Sequence, residues 1–257
     1  MSGKNFIRPS GAVLLRTSSY VYKIPLTVMA VRELKKERTQ IEEVKKDSHF
    51  LQYLPDYSHF FYLRTPLLTP INMRPDRHAI MEKYFDLAFS EMPVYQSKKI
   101  RKLINVEPYL NFVSQNIIHA YDFWNNFFDI VELPMSSIHG DFHADNIFIK
   151  DDRLFFIDWI RYRKESSRFF DLFDYYIFFG KDAHIPWFEF WKKCISSDSR
   201  KIFNIIFTEM HLIAYALWKI SEEQKTLYER NNMNKYKIKK YITVIEELTD
   251  YAKKYSF

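Results

Sequence analysis

Three side chains in the stretch 138–158 have the types and spacing to do chemistry together. Asp141 follows a glycine, Asn146 comes five residues later, and Asp158 closes an apolar run twelve residues beyond that. Ile147-Phe148-Ile149 and Leu154-Phe155-Phe156-Ile157 flank Lys150-Asp151-Asp152-Arg153, a pattern that predicts a tight hairpin with a polar turn. A hairpin brings its two ends together, so Asn146 and Asp158 become neighbours. An amide oxygen beside a carboxylate suits a hard cation such as Mg²⁺, which takes few protein ligands and completes its shell with phosphate oxygens. Asp141, in the loop just before, is placed to accept a proton from a substrate hydroxyl. In outline this is a phosphoryl-transfer site. His139 and His143 bracket Asp141 and raise zinc as an alternative. A single cysteine, Cys194, and no third neutral donor nearby make that a poor zinc set.

Other segments must hold these groups. Residues 12–26 run Ala-Val-Leu-Leu, then Arg16-Thr17-Ser18-Ser19, then Tyr-Val-Tyr-Lys-Ile-Pro-Leu, which reads as a β-hairpin with Lys23 in its second strand. Val31 to Lys46 is rich in Glu, Lys, Arg and Leu without Gly or Pro, and reads as a helix. Phe60 to Leu63 and His78 to Glu82 read as two more strands around a proline-rich loop. Lys98 to Phe128 reads as helical, with Pro108 at a start or a kink. Trp159 to Arg168 reads as a basic loop, and Asp171-Leu172 as the opening of a helix. Residues 184–257 read as helical and aromatic, ending in an amphipathic helix with Ile238, Tyr241, Ile242, Ile245 and Leu248 on its core stripe.

His139-Gly140-Asp141, Asn146 and Ile157-Asp158-Trp159, with Asp171-Leu172 beyond, resemble the catalytic core of the aminoglycoside phosphotransferase and choline kinase superfamily. The resemblance implies an α+β, bilobal, protein-kinase-like fold. A small, reduced N-terminal β-sheet lobe with one helix, residues 1–83, would bind the nucleotide. A larger, mostly helical lobe, residues 84–257, would carry catalysis and the acceptor. It implies ATP and Mg²⁺ as cofactors, Asp141 as the catalytic group, and Asn146 and Asp158 as metal ligands. Lys23 would touch the nucleotide phosphates, although a lysine in a strand can also simply face solvent. An acid of the following helix would fix Lys23, Glu37 first and Glu33 as the fallback. Glu82 and Tyr84 would lie in the connector whose backbone bonds the adenine edge. One departure stands out: the chain has 4 glycines, and near its start only Gly11, in Ser10-Gly11-Ala12, is placed to cover the phosphates.

Composition narrows the rest. The 257 residues suffice for a large core, and Phe, Tyr and Trp make up 18% of them. Lys and Arg number 38 against 32 Asp and Glu, a net charge of +6 spread along the chain, which reads as a solvated basic surface and not a nucleic-acid footprint. The longest apolar-rich stretch, 203–220, contains Glu209, His211 and Lys219 and reads as a buried helix, not a membrane span. No apolar signal segment opens the chain, and a cytoplasmic location is expected.

The expected partners are therefore a nucleotide and a small-molecule acceptor, with peripheral contact to a glycolipid as an option. Asp171 follows Asp158 within thirteen residues, which leaves little room for a peptide-binding platform and favours a small acceptor. Arg161, Arg163, Lys164 and Arg168 would repel a polycationic aminoglycoside. Trp159, Trp187 and Trp191 could cage a quaternary ammonium. The reading ranks a sugar or sugar conjugate of surface polysaccharide first, an amino alcohol second and an aminoglycoside third. A nucleotide-binding scaffold without turnover is the competing class.

Overall fold

The structure, a computed structural model, describes residues 6–7, 11–59, 61–90, 97–179, 189, 192–193, 200–229 and 235–255. The chain forms two compact units: Met1–Tyr84 with Ser137–Lys164, and Phe85–Ser136 with Glu165–Phe257. The segment carrying Asp141, Asn146 and Asp158 thus belongs with the N-terminal residues.

In the first unit, strands β1 (Phe6–Ile7), β2 (Ala12–Arg16), β3 (Tyr20–Pro25), β4 (Ser58–His59) and β5 (Leu63–Pro66) form one antiparallel sheet in the order β1-β2-β3-β5-β4. The β2–β3 turn is closed by Thr17, whose Oγ1 accepts the Tyr20 N–H at 3.0 Å, a side-chain turn of the kind short hydroxyl residues favour. The register sets Lys23 opposite Leu14 and Leu63.

Helix α1 follows, Val28–Val44. It starts three residues earlier than the composition suggests because Thr27 caps it, its side chain accepting the Ala30 N–H at 3.1 Å. Ala30, Leu34, Glu37, Ile41 and Val44 are its buried face, spaced at helical intervals. Glu37 is the one charge on that stripe. A buried carboxylate without a cation is expensive, so the helix can pack this way only if a base meets it.

The expected hairpin spans Ile147–Lys150 and Arg153–Phe156, with Ile147 opposite Phe156 and Lys150 opposite Arg153. Asp151 and Asp152 form its two-residue turn with φ of 50° and 60°, the left-handed pair that a tight twisted hairpin demands. A third strand, β6 (Thr69–Pro70), pairs with Phe148 and Ile149. This pairing ties the hairpin to the N-terminal part of the chain. Beneath it lies an aromatic nucleus in which Tyr84 stacks on Phe142 at 5.6 Å, Tyr53 stacks on Phe156 at 4.9 Å, and Phe50 meets Trp159 at 5.3 Å.

One expected strand is a helix. Residues Arg77–Ser90 form α2, with Met81, Tyr84, Phe85 and Ala88 buried at the i, i+3, i+4, i+7 positions of one face. The apolar run Ala79-Ile80-Met81 is short enough to suit either state, and tertiary burial decides for the helical period.

The second unit is mostly helical, with helices at Glu107–Asn116, Ile118–Ile130, Phe169–Phe179, Glu209–Glu229 and Lys235–Tyr255. Pro108 sits in the first turn of its helix, where a missing N–H does no harm. The buried Trp124 donates its Nε1–H to Thr249 Oγ1 at 2.9 Å, joining the 118–130 helix to the C-terminal one. On that last helix Tyr241, Ile245 and Leu248 are buried as the stripe predicts, while the side chain of Ile238 lies outside the described residues. Among the described residues, no helix is long and apolar enough to cross a membrane.

Candidate active site

The loop 139–146 is held from both sides. His139 is fully buried, its Nε2–H donating to the Ile157 carbonyl at 2.8 Å while Nδ1 accepts the Asp141 N–H at 3.3 Å. Burial, only partly opposed by the Asp141 charge and the Ile157 hydrogen bond, lowers its pKa to about 4, so the ring is neutral. Its work is mechanical: it pins the Asp141 loop to the residue before Asp158. Gly140 has φ of +81°, and a Cβ there would stand 2.3 Å from the Arg161 carbonyl oxygen. Both the conformation and the backbone approach require glycine.

Asp141 follows, with His143 Nε2 at 3.5 Å from one carboxylate oxygen and Arg161 Nη1 at 3.6 Å from the other. Burial works to raise its carboxyl, but the His143 hydrogen bond and the Arg161 charge outweigh it. The group stays well below the ordinary carboxylate range. Such an anion is a weak base, better suited to accepting and aiming a hydroxyl hydrogen bond than to removing the proton early.

Asn146 is buried, and its Nδ2 donates to the Asp141 carbonyl at 2.9 Å and to the Asp141 carboxylate at 3.3 Å. This commits the amide nitrogen and leaves Oδ1 as a donor for a cation. The Asn146 carbonyl accepts the Ile157 N–H at 3.0 Å, so the hairpin sets Asn146 beside the strand end that carries Asp158. Asp158 itself has φ of 64°, a left-handed conformation that Asp tolerates better than most residues.

Lys23 joins these groups to α1. Its Nζ is 2.6 Å from Glu37 Oε2 and 3.6 Å from Asp158 Oδ1, with the Glu37 side chain 2% exposed and the other two 12% and 14%. The structure therefore brings Lys23 and Glu37 together, and Glu33 is not the partner in this pair. All three line a cavity of about 230 Å³. Leu14, Val21, Leu63, Phe148 and Ile157 give it apolar walls, with the acid–base cluster at the polar part of its lining. A pocket of apolar walls with a few convergent polar groups is the usual form of a cofactor site.

Other expected positions fall elsewhere. Glu82 and Tyr84 lie inside α2, whose backbone N–H groups are bonded within the helix, and Tyr84 is part of the aromatic nucleus with its hydroxyl 3.5 Å from His49 Nε2. A connector with free backbone groups is not available there. The cavity is lined instead by Thr65, Pro66 and Leu68, at and just past the end of β5, a run that reads from sequence only as a proline-rich loop. Gly11, with φ of +84°, makes room for Thr27: a Cβ there would stand 2.3 Å from Thr27 Cγ2. Its neighbour Ser10 lies outside the described residues, as do Trp187 and Trp191. Trp159 is fully buried, so it is core and not cage. Arg168 is also buried, its guanidinium bonded to the Ala88 carbonyl, and does not belong to a basic acceptor face. Two cavity residues carried no sequence signal, Tyr57 and Asp145, because each acquires meaning only from its place in the fold.

No protein-family model matches the chain, and no curated protein matches it in sequence. Solved structures do match. The choline kinase LicA from Streptococcus pneumoniae is 12% identical with a TM-score of 0.54, over 93% of this chain and 89% of its own. A macrolide 2'-phosphotransferase type I is 12% identical with a TM-score of 0.51, over 90% and 87%. The chain has the fold of small-molecule kinases. A thermostable mutant of aminoglycoside phosphotransferase APH(4)-Ia is similar over 94% of this chain and 90% of its own, with a TM-score of 0.50 and 12% identity. These three small-molecule-kinase structures cover nearly the whole chain, so the likeness extends over both compact units.

Proposed function

We propose that this chain is an ATP-dependent phosphotransferase that phosphorylates a hydroxyl of a small molecule. The observation that carries the reading is Lys23 held between Glu37 and Asp158 in the lining of an apolar-walled cavity. Leu14 and Val21 would sandwich the base against Phe148 and Ile157, and the end of β5 would face its polar edge. The donor set fits Mg²⁺: an amide oxygen from Asn146 and a carboxylate from Asp158, both hard oxygens, with phosphate oxygens to complete the shell. When bound, the ion would neutralise charge on the nucleotide phosphates. Lys23 would neutralise charge that develops on the transferred group, and Glu37 would fix where its ammonium stands. Asp141 would hold the acceptor hydroxyl in line, since this chemistry is mostly positioning.

A nucleotide-binding scaffold draws support from the reduced phosphate cover, with β1 only two residues long and Gly11 occupied with Thr27. The Asp141, Asn146 and Asp158 set favours turnover, because a scaffold has no use for both metal ligands and an acceptor-orienting carboxylate.

For the acceptor we favour a sugar or sugar conjugate of surface polysaccharide. Arg161 stands 3.6 Å from Asp141 with a side chain 39% exposed, so a polycationic acceptor would meet a cation at the reacting end. A neutral or phosphate-bearing sugar would not, and Arg161 could pair with its anion. An amino alcohol ranks second, with Trp159 withdrawn from any cage. A cytoplasmic location and peripheral contact with a glycolipid belong to the same reading. An ATP-consumption screen over sugars, phosphosugars, choline, ethanolamine and kanamycin tests it. Turnover on choline or kanamycin with none on any sugar would refute the carbohydrate assignment.

A further inference from the structure

The corner between β3 and α1 is apolar where solvent reaches it. Leu26 and Val28 are 65% and 70% exposed, and Met29 and Val31 are exposed beside them. Single exposed apolar side chains are ordinary, but a run of four large ones marks a contact surface. The corner is also firmly built. The Leu26 N–H donates to the Gly11 carbonyl at 3.1 Å, and Thr27 caps the helix that Val28 opens. These bonds hold the backbone that presents the apolar side chains.

Charge indicates what the contact is with. The first turn of α1 carries no acid, so the positive end of its dipole lacks the carboxylates that usually sit there. The exposed side then turns basic. Val28, Arg32 and Lys35 fall on one stripe at i, i+4 and i+7, with Lys36 beside it, all of them exposed. Glu33 is half-buried and lies off that stripe. The next exposed acids, Glu42 and Glu43, are paired with Lys45 and Lys46 at 2.8 and 2.7 Å. Apolar tips rimmed by cations, on a helix end of positive potential, complement a surface that is anionic outside and oily beneath. We propose that this corner docks the protein on the headgroup region of an anionic membrane. Leu26, Val28, Met29 and Val31 enter the interface, and Arg32, Lys35 and Lys36 meet lipid phosphates. Four side chains are too few for a stable protein interface, which buries about 800 Å² per partner, whereas reversible lipid contact needs only such a patch. A kinase docked in this way would meet an acceptor carried on a lipid. The contact uses none of the cavity residues, so it stands or falls apart from the catalytic reading.

The test is flotation of the full chain with vesicles of phosphatidylcholine, alone or mixed with phosphatidylglycerol, at low and high salt. The wild type should float with the anionic vesicles, stay behind with the neutral ones, and bind less as salt rises. Arg32→Gln with Lys35→Gln should weaken binding about tenfold or more, each cation near an anionic surface being worth about fivefold. Val28→Glu with Met29→Glu should weaken it at least as much. Those two acids suit the first turn of a helix, so this variant should keep its fold, and thermal melting beside the wild type checks that. Wild-type protein that ignores anionic vesicles, or a folded Val28→Glu, Met29→Glu variant that binds them as the wild type does, would overturn the proposal. So would a wild type that is a dimer by light scattering and becomes a monomer in that variant without any vesicle binding, since the corner would then join two copies of this chain.

Discussion

At the scale of single residues, charges stand where only a partner makes them tolerable. Glu37 sits on an apolar helix face and is met by Lys23, so removing Lys23 takes the ammonium away from a buried carboxylate. Lys23→Ala should raise the Michaelis constant for ATP and lower turnover together, because phosphate contacts persist into the transition state. Wild-type kinetics in that variant would show that Lys23 only serves the fold. Asp158→Ala should remove the Mg²⁺-dependent part of nucleotide stabilisation, and Asn146→Ala should weaken it less; both are read by thermal shift with and without the metal. Two histidines, His139 buried and His211 half-buried, add a pH dependence. His139 and His211 both have pKa values lowered by burial to about 4, from an ordinary 6.5. The unfolded chain therefore binds more protons between those values. Stability should be full above pH 6.5 and fall as pH drops through 6.5 toward 4. Urea midpoints at pH 7, 5.5 and 4.5 check this, and equal midpoints would mean that the rings are not held neutral.

At the scale of elements, a loop and a turn carry specific demands. Gly140→Ala would force a side chain into left-handed backbone and against the Arg161 carbonyl, a neighbour that cannot rotate away. A loss of about 1–3 kcal/mol is expected from chemical denaturation, with activity falling as the Asp141 loop shifts. In the hairpin turn, Asp151→Asn with Asp152→Gly should raise stability by about 0.5–1 kcal/mol, since both positions have positive φ. The double substitution also removes the ion pair between Arg74 and Asp152, which is solvent-exposed and should not offset that gain. A lower midpoint would show that this ion pair matters more than backbone conformation.

These elements also mark what could be read from sequence. The hairpin, its polar turn and the neighbouring of Asn146 with Asp158's strand end follow from a two-residue period and one turn. The Lys23–Glu37 pair was legible only through the family resemblance, which calls for a helix acid to fix the strand lysine. Residues 77–90 were not legible, since a short apolar run fits strand and helix alike and only packing against Phe142 and Phe156 decides. The basic character of Arg168 misled for a related reason: charge in a sequence reads as surface, while burial beside the Ala88 carbonyl depends on the fold. Tyr57 and Asp145 had no local pattern at all.

At the scale of the whole molecule, the first unit brings together every group the proposed chemistry names: Lys23, Glu37, Asp141, Asn146 and Asp158. The fold is that of kinases acting on quite different acceptors, so it leaves the chemistry general and the acceptor to be read from local charge. The central claim is phosphoryl transfer from ATP to an acceptor hydroxyl aimed by Asp141. The most direct measurement is acceptor-dependent release of ADP in the presence of Mg²⁺, wild type against Asp141→Asn, with ATP binding measured on the same preparations. Asp141→Asn should bind Mg·ATP as the wild type does and turn over at least about 10²-fold more slowly on the best sugar acceptor. Equal turnover by the two proteins, or ADP release that ignores every acceptor offered to the wild type, would contradict it.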